Sequence, residues 1–418
     1  MSAAPLDYAI VGGGIIGLAT GLSILERRPG STLVILDKEP ALAAHQSGRN
    51  SGVIHTGLYY RPGSVKASTC IDGAKRLIEF CRAHHLPVSL CGKVIVASDE
   101  SQLPALEALY RRGMANGVEG LSLIGPERLR EIEPHARGLK ALHVPGAAIV
   151  DYRAVVEAMA LMIRQAGGMI QTSARVERMA RRERRWALET AAVPAGRQSG
   201  HLEARWLITC GGLHEDRLAR SAGERCDLQM VPFRGEYYEV APERCSLVKG
   251  LIYPVPDPRL PFLGVHFTRT ITGGVRAGPN AVLALKREGY RKRDVDLRDT
   301  LELLRFRGFW RLARRYGLIG VGELCRSLCK AAFVGALQRL VPEIRSRDLI
   351  PGLSGVRAQA LGADGALLDD VEIVRGESAI HVLNAPSPAA TASLAIGRRI
   401  AQMAVELAVP TGRQAPSA

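Results

Sequence analysis

A chain of 418 residues, 47% hydrophobic and 23% charged, can bury a sizeable core in one large or two interwoven domains, which excludes wholesale disorder. Its eight cysteines (Cys70, Cys81, Cys91, Cys210, Cys226, Cys245, Cys325, Cys329) include no CxxC pair, which argues against a structural zinc site or a disulfide scaffold and fits a reducing compartment. The net charge of +15 suits anionic lipid, nucleic acid or anionic substrates without choosing among them, while the lack of a secretory signal and of any apolar run of about 18 residues predicts a cytoplasmic protein that does not span a membrane.

Asp7–Val11 predicts a short buried strand, because Tyr8, Ile10 and Val11 are β-formers without helical period. Gly12–Gly14 is a turn, and Ile16–Glu26 is apolar at helical spacing until Pro29-Gly30 stops it. Thr32–Leu36 is a second apolar strand and completes a strand–helix–strand unit. Ala41–Tyr60, rich in Gly, Ser, Asn and His, reads as a long loop. Residues 64–84 read as a helix, Lys93–Ala97 as a strand, Gln102–Asn116 as a charged helix, and Tyr152–Gln165 as a helix ended by Gly167-Gly168. Ile170–Gln171, Trp186–Thr190 and Trp206–Thr209 read as strands, with Arg181–Arg185 a solvated turn. Gln229–Ala241 and Leu251–His266 read as strands of a separate sheet, broken at Pro254, Pro256, Pro258 and Pro261. Lys286–Leu340 is expected to be mostly helical and strongly basic. Strands return from Leu349, including Ala379–Leu383, before a final helix over Ala389–Leu407 and a disordered tail after Pro410.

Gly12-Gly13-Gly14-Ile15-Ile16-Gly17 contains GxGxxG. Gly12 permits the tight turn, Gly14 the approach of backbone to a pyrophosphate, and Gly17 the close packing of helix on strand. Asp37 ends the next strand, 20 residues after Gly17, where an acidic group accepts hydrogen bonds from ribose hydroxyls. Two later segments suggest FAD rather than NAD. One is the glycine-rich strand end Leu207-Ile208-Thr209-Cys210-Gly211-Gly212, which by itself is also an ordinary strand–turn. The other is Asn384–Thr391, where Ser387 is a natural N-cap and Pro388 suits the first helical position. A helix starting there would aim its positive end at the flavin N1/O2 edge.

These pieces, with His45-Gln46-Ser47-Gly48-Arg49-Asn50-Ser51-Gly52-Val53-Ile54-His55-Thr56-Gly57, resemble the FAD-dependent L-2-hydroxyglutarate dehydrogenase/oxidase family of the D-amino-acid-oxidase-like superfamily. The resemblance runs nearly the full length, through Tyr59–Ser64, Pro232–Tyr238, Ile252–Pro258, Pro261–His266, Gly278–Ala281 and Gly355–Ala360; Leu303–Ile319 and the tail are its least familiar parts. It implies an α/β fold: a Rossmann-type FAD-binding domain with an inserted α+β substrate domain built on an antiparallel sheet. The FAD domain would take residues 1–87, 148–228 and 349–409, and the substrate domain 88–147 and 229–348, ahead of a tail at 410–418. The implied reaction oxidises (S)-2-hydroxyglutarate to 2-oxoglutarate, with electrons passed to quinone at the membrane or to O₂. The implied cofactor contacts are Gly12, Gly14, Ile16, Gly17, Asp37, Lys38, His45, Ser47, Arg49, Asn50, Ser51, Gly52, Val176, Cys210, Gly211, Gly355, Arg357, Pro388, Ala389, Ala390 and Thr391.

Oxidising an α-hydroxy acid requires C2–H aimed at flavin N5, a base for the hydroxyl proton, and cations for the carboxylates. His55 is expected close to the flavin, and either His55 or His266 is a candidate base. Arg357 and Arg234 are the candidate carboxylate partners, Tyr237 and Tyr253 candidate hydroxyl donors, and Lys330 a further cation. Arg49 is a candidate to face the flavin, and Ser47 and Ser51 to donate to phosphate or ring atoms. Lys286-Arg287, Arg291-Lys292-Arg293, Arg305, Arg307, Arg311, Arg314 and Arg315 alternate with Leu303, Leu304, Phe306, Phe309, Trp310 and Leu312. That pattern reads either as an amphipathic basic surface for anionic lipid or as a solvated helical face. No nucleic-acid-binding module is recognised, and no metal is expected. An amine or amino-acid oxidase of the same superfamily, and a flavin-binding protein without turnover, are the alternative readings.

Overall fold

The computed structural model describes residues 4–192, 200–257 and 263–408. The expected tail at 410–418 and the breaks at Pro258 and Pro261 lie outside them.

The N-terminal unit forms as its local signals dictate. Strand Leu6–Val11 leads into helix Ile15–Arg27, and Leu33–Leu36 pairs parallel beside the first strand. The helix is buried on nearly every side, since Leu18, Ala19, Leu22 and Ile24 face the sheet or helix Ser393–Ala408. This sheet has eight strands drawn from three stretches of chain: Leu6–Leu36, Met169–Thr209 and Glu372–Asn384. Strand Gly200–Thr209 changes its outer partner along its length. Gly200–Ala204 pair with the hairpin strand Arg185–Ala192, and Leu207–Thr209 with Ala379–His381. The expected solvated turn over Arg181–Arg185 is the tip of this hairpin, narrowed to the exposed Glu183 and Arg184, with Glu183 at φ +55°. Ala174–Arg182 and Arg185–Ala192 pair as far as Arg182↔Arg185, because alternate residues Met179, Trp186 and Leu188 bury one face while the arginines are solvated on the other.

The second sheet has nine strands from Lys93–Val144 and Gln229–Leu361. It is antiparallel except where Leu251–Pro254 runs parallel to Lys93–Ala97. Leu349–Leu361 pairs along nearly its whole length with Gln229–Val240, so the chain returns to the first sheet only at Glu372, not at Leu349. A three-stranded sheet of Val53–Ile54, Val88–Ser89 and Ala148–Val150 lies apart, so the expected loop Ala41–Tyr60 contains a short strand.

Helix starts follow their caps. Ser64 Oγ accepts from Ala67 N at 3.1 Å and opens Val65–Ala83; Asp151 Oδ1 accepts from Arg153 N at 2.9 Å and opens Tyr152–Gln165. The basic region is helical only from Leu297, as Leu297–Arg305, Arg307–Leu328 and Lys330–Gln338; Asp296 caps the first of these, and Lys286–Asp296 is irregular. The last helix begins at Ser393 rather than Ala389. Ser387 is therefore not its N-cap. Thr391 Oγ1 is taken by the His55 N–H and the Tyr152 hydroxyl, both at 3.1 Å, and these bonds hold the preceding turns out of the helix.

Candidate active site

A cavity of about 1610 Å³ is lined from both large sheets. Small-ligand sites run to roughly 300–1,000 Å³, so this space suits a dinucleotide together with a small substrate.

At one end the glycine loop forms the wall. Gly12 adopts φ +113°, and a Cβ there would lie 2.4 Å from the Cys210 carbonyl oxygen; a Cβ on Gly17 would lie 2.0 Å from the Gly12 oxygen. Only glycine fits either position. Gly17 itself packs behind the cavity, whose wall is made by Gly12, Gly14 and Ile16. The Asp37 carboxylate accepts from Gly13 N at 2.7 Å and Glu39 N at 2.8 Å, which ties the loop to the end of the second strand. Ser47 Oγ accepts from Ile15 N at 2.9 Å, while the N-cap residue Gly14 supplies no side chain. The helix thus offers N–H groups and a positive dipole end to the cavity, a cradle that fits a pyrophosphate.

Lys38 and His45 line the same end within an ion-pair network. Lys38 Nζ lies 2.7 Å from Glu288, contacts Glu39, and is 3.2 Å from His45 Nε2; His45 Nδ1 meets the Tyr290 hydroxyl at 2.5 Å. The Glu288 and Glu39 hydrogen bonds raise the Lys38 pKa although burial opposes it. Glu39, His45 and Glu288 bring potential metal donors together, but the Lys38 ammonium lies among them and neutralises the carboxylates. Val176, Cys210 and Gly211 complete this end. Gly211 N donates to the buried Glu215 carboxylate at 2.5 Å, and burial pushes that carboxyl up to about 8.

The middle of the wall is the loop after the first unit. Arg49 donates to the Ala44 oxygen at 3.0 Å and stacks 4.1 Å over the Tyr290 ring. Asn50 shapes the loop by donating to Gln46 O and Ser47 O and accepting from Gly52 N. Gly52 is held at φ +77° off the cavity wall. Gly355 backs onto Arg49, and Pro388, Ala389, Ala390 and Thr391 close this side.

The far end gathers the polar residues. His55 faces the cavity. Burial first, then chiefly the positive charges of Lys93, Lys66 and Arg357, push its pKa down to about 3, and its Nδ1 has no partner among the described residues. His266 is buried, its pKa also driven by burial to about 3; Nδ1 lies 2.8 Å from the Gly264 carbonyl. A carbonyl only accepts, so Nδ1 carries the proton and Nε2 keeps its lone pair. The His266 ring stacks 3.8 Å from Tyr253. Tyr237 shares hydrogen bonds with Ser51 and Arg357, and all three line the cavity.

Two expected substrate residues are not brought here. Arg234 is buried but bonded to Glu236 and to the Arg291 oxygen, both at 3.0 Å. Of this strand, Gln229–Val240, Met230, Gly235 and Tyr237 line the cavity, whereas Arg234 and Glu236, bonded to each other, do not. Lys330 donates to the Leu349 oxygen at 2.7 Å on the outer side of the substrate sheet. Conversely, sequence reasoning does not single out Tyr59, Tyr60 and Lys66, which line the far end, although Tyr59 and Tyr60 open the family-like segment Tyr59–Ser64.

The chain matches the family model described as DAO, FAD dependent oxidoreductase, over residues 7–403. It is 48% identical over 398 residues to L-2-hydroxyglutarate dehydrogenase of Indibacter alkaliphilus, covering 95% of this chain and 98% of that protein. It is 43% identical over 410 residues to the mitochondrial L-2-hydroxyglutarate dehydrogenase of Homo sapiens, covering 96% and 89%. Among solved structures, L-alpha-glycerophosphate oxidase from Mycoplasma pneumoniae with FAD bound has a TM-score of 0.77 at 21% identity, covering 96% of this chain and 95% of that one. Glycine oxidase from Geobacillus kaustophilus has a TM-score of 0.70 at 17% identity, covering 98% and 96%; at such identities the likeness is one of fold. With the glycine cradle at one end of the cavity and the two neutral histidines at the other, the chain belongs to the DAO family of FAD-dependent oxidoreductases and, within it, to the L-2-hydroxyglutarate dehydrogenase family.

Proposed function

We propose that the protein oxidises (S)-2-hydroxyglutarate to 2-oxoglutarate. The observation that carries this reading is the convergence of His55, His266, Tyr237 and Arg357 at the end of the cavity away from the glycine loop. FAD, when bound, accepts the two electrons that leave C2 with hydrogen. Gly12, Gly14, Asp37 and the Asn384–Thr391 turns would hold it. His266 Nε2 takes the hydroxyl proton, since Nδ1–H is engaged by Gly264. Arg357 binds the carboxylate next to C2, oriented by Tyr237. His55 packs beside the reacting carbon, and its neutrality keeps a second positive charge off the developing carbonyl. A bound dicarboxylate raises the basicity of both histidines, because opposite charge favours the protonated form.

Anaerobic mixing tests the reading. L-2-hydroxyglutarate should bleach the flavin, while D-2-hydroxyglutarate and a panel of amino acids should not. Bleaching by an amine and by no hydroxy acid overturns it in favour of an amine oxidase.

The electron acceptor belongs to the same proposal: a quinone, reached by docking of helices Leu297–Arg305 and Arg307–Leu328 on an anionic bilayer. Leu297, Trp310, Leu318 and Leu328 are exposed there, beside exposed Arg305, Arg307, Arg311 and Arg314. Among the described residues no helix is long and apolar enough to cross a membrane. Flotation with phosphatidylglycerol vesicles should recover the protein at low salt and lose it at high salt. Equal recovery with neutral phosphatidylcholine vesicles removes the electrostatic docking.

A further inference from the structure

Lys93 opens the strand Lys93–Ala97 and is 2% exposed. Its ammonium lies 4.7 Å from the centre of the Tyr59 ring and 5.1 Å from that of Tyr253. Among the described residues Nζ has no hydrogen-bond partner, and neither do the buried atoms His55 Nδ1 and Tyr59 Oη. Ile95 and Ala97, next on the same face of the strand, join an apolar cluster with Leu251 and Tyr253, so the charge sits in a hydrophobic wall. Lys93 does not reach the cavity, whereas Tyr59, Tyr253, His55 and His266 do.

Among the described residues no carboxylate offsets this charge. The titratable groups around it are Tyr59 and His55 from the loop, Cys70 from helix Val65–Ala83, Cys91 from the preceding turn, and Tyr253 and His266 from the sheet. Burial pushes the thiol of Cys70 up to about 12 and that of Cys91 up to about 11, so both are neutral at physiological pH. Both tyrosine hydroxyls are raised by burial as well. A buried lysine without a hydrogen-bond or carboxylate partner is costly to the fold even against two aromatic rings, and an apolar residue of similar volume in its place is expected to cost the fold little.

We propose that Lys93 is a positioning residue of the substrate site, whose buried ammonium, held against the Tyr59 and Tyr253 rings and without a hydrogen-bond partner among the described residues, supplies the positive charge that a dicarboxylate answers. The proposal rests on the reading of this cavity as a dicarboxylate site. It adds a cation that acts through the aromatic wall rather than by touching the ligand. Burial, against the weaker pull of Cys70 and Cys91, brings the Lys93 pKa down to about 8. An anion entering the cavity favours the protonated form, so dicarboxylate binding takes up a proton near that pH.

The test compares the FAD-loaded parent with Lys93→Met, the neutral polar variant Lys93→Gln, and Lys93→Arg. Glutarate and the monoanion butyrate are titrated against flavin absorbance from about pH 6 to about pH 10, and turnover of L-2-hydroxyglutarate is measured over the same range. In the parent, glutarate affinity should fall steadily above about pH 8. In Lys93→Met and Lys93→Gln that fall should disappear. The glutarate Kd and the KM should both rise roughly tenfold at neutral pH, butyrate affinity should change less, and kcat should change less than KM. Lys93→Arg should restore part of the affinity and extend it to higher pH. The FAD content should be unchanged and the thermal midpoint of Lys93→Met equal or higher. Identical glutarate affinity and pH dependence in parent and neutral variants overturns the proposal. If L-2-hydroxyglutarate leaves the parent's flavin oxidised while glutarate binding still loses its alkaline fall in the variants, the activity reading fails and Lys93 keeps its role.

Discussion

His266 can take a proton only through Nε2, because its Nδ1–H is engaged by the Gly264 carbonyl at 2.8 Å. Asparagine keeps a donor near that carbonyl but has no basic nitrogen. His266→Asn should therefore lower kcat by about 10²- to 10⁴-fold while FAD still binds, measured by single-turnover flavin reduction. A loss confined to KM would instead make His266 a binding residue. Arg357 is expected to contribute through charge-assisted hydrogen bonds to carboxylate. Arg357→Ala should weaken dicarboxylate binding by about 1.5–3 kcal/mol and leave FAD affinity nearly unchanged. Equal glutarate affinity in mutant and parent would remove Arg357 from the site. Arg234 carries the same functional group and lies one strand away, yet its partner is Glu236. The difference between the two arginines is a matter of place in the fold, which residue type cannot reveal.

At the scale of elements, the glycine loop is specified locally. The Gly12 turn, the Gly17 crossing and Asp37 lie within one strand–helix–strand unit, so their spacing alone placed them. Gly17→Ala forces a Cβ against backbone with no side chain to yield. It should lower stability by about 1–3 kcal/mol and release FAD on dilution, read by flavin fluorescence. Ser387 is the counter-example. Its sequence fits an N-cap, but the helix starts at Ser393 because Thr391 is bound by His55 and Tyr152 from distant segments. Ser387→Ala should therefore change stability by less than about 0.5 kcal/mol, where a true cap would lose about 1 kcal/mol, as chemical denaturation can decide. Tyr152–Gln165 matched its expected bounds since the Asp151 cap and the 3.6-residue period agree.

Across the whole molecule, Arg287 and Asp216 form a buried pair that ties the irregular stretch before the basic helices to the cofactor half. Arg287 is 2% exposed, and its Nη2 lies 2.9 Å from Asp216 Oδ2. Burial alone would raise the Asp216 pKa; its hydrogen bonds to Arg287 override that and hold it below the ordinary value of 3.8. The folded pKa is thus the lower one. The pair's contribution is fully present above pH 3.8 and is lost as pH falls through the folded value. Asp216→Ala should destabilise by about 3–5 kcal/mol at neutral pH, with the gap to the parent closing in acid; a gap that persists there would assign the loss to packing.

The sequence by itself determined the glycine loop and its tie to Asp37, the order of most helices and strands, and through its resemblance the family. Those features rest on short-range spacing or on long runs of similar residues. Only the tertiary structure decided which residues of Gln229–Val240 meet the cavity, that Leu349–Leu361 completes the substrate sheet, and that Lys93 sits against Tyr253. Each of these depends on pairing between strands far apart in the chain, as when Lys93 lies opposite Leu251. A shift of one residue in such a register reverses every side chain, and no local pattern fixes it.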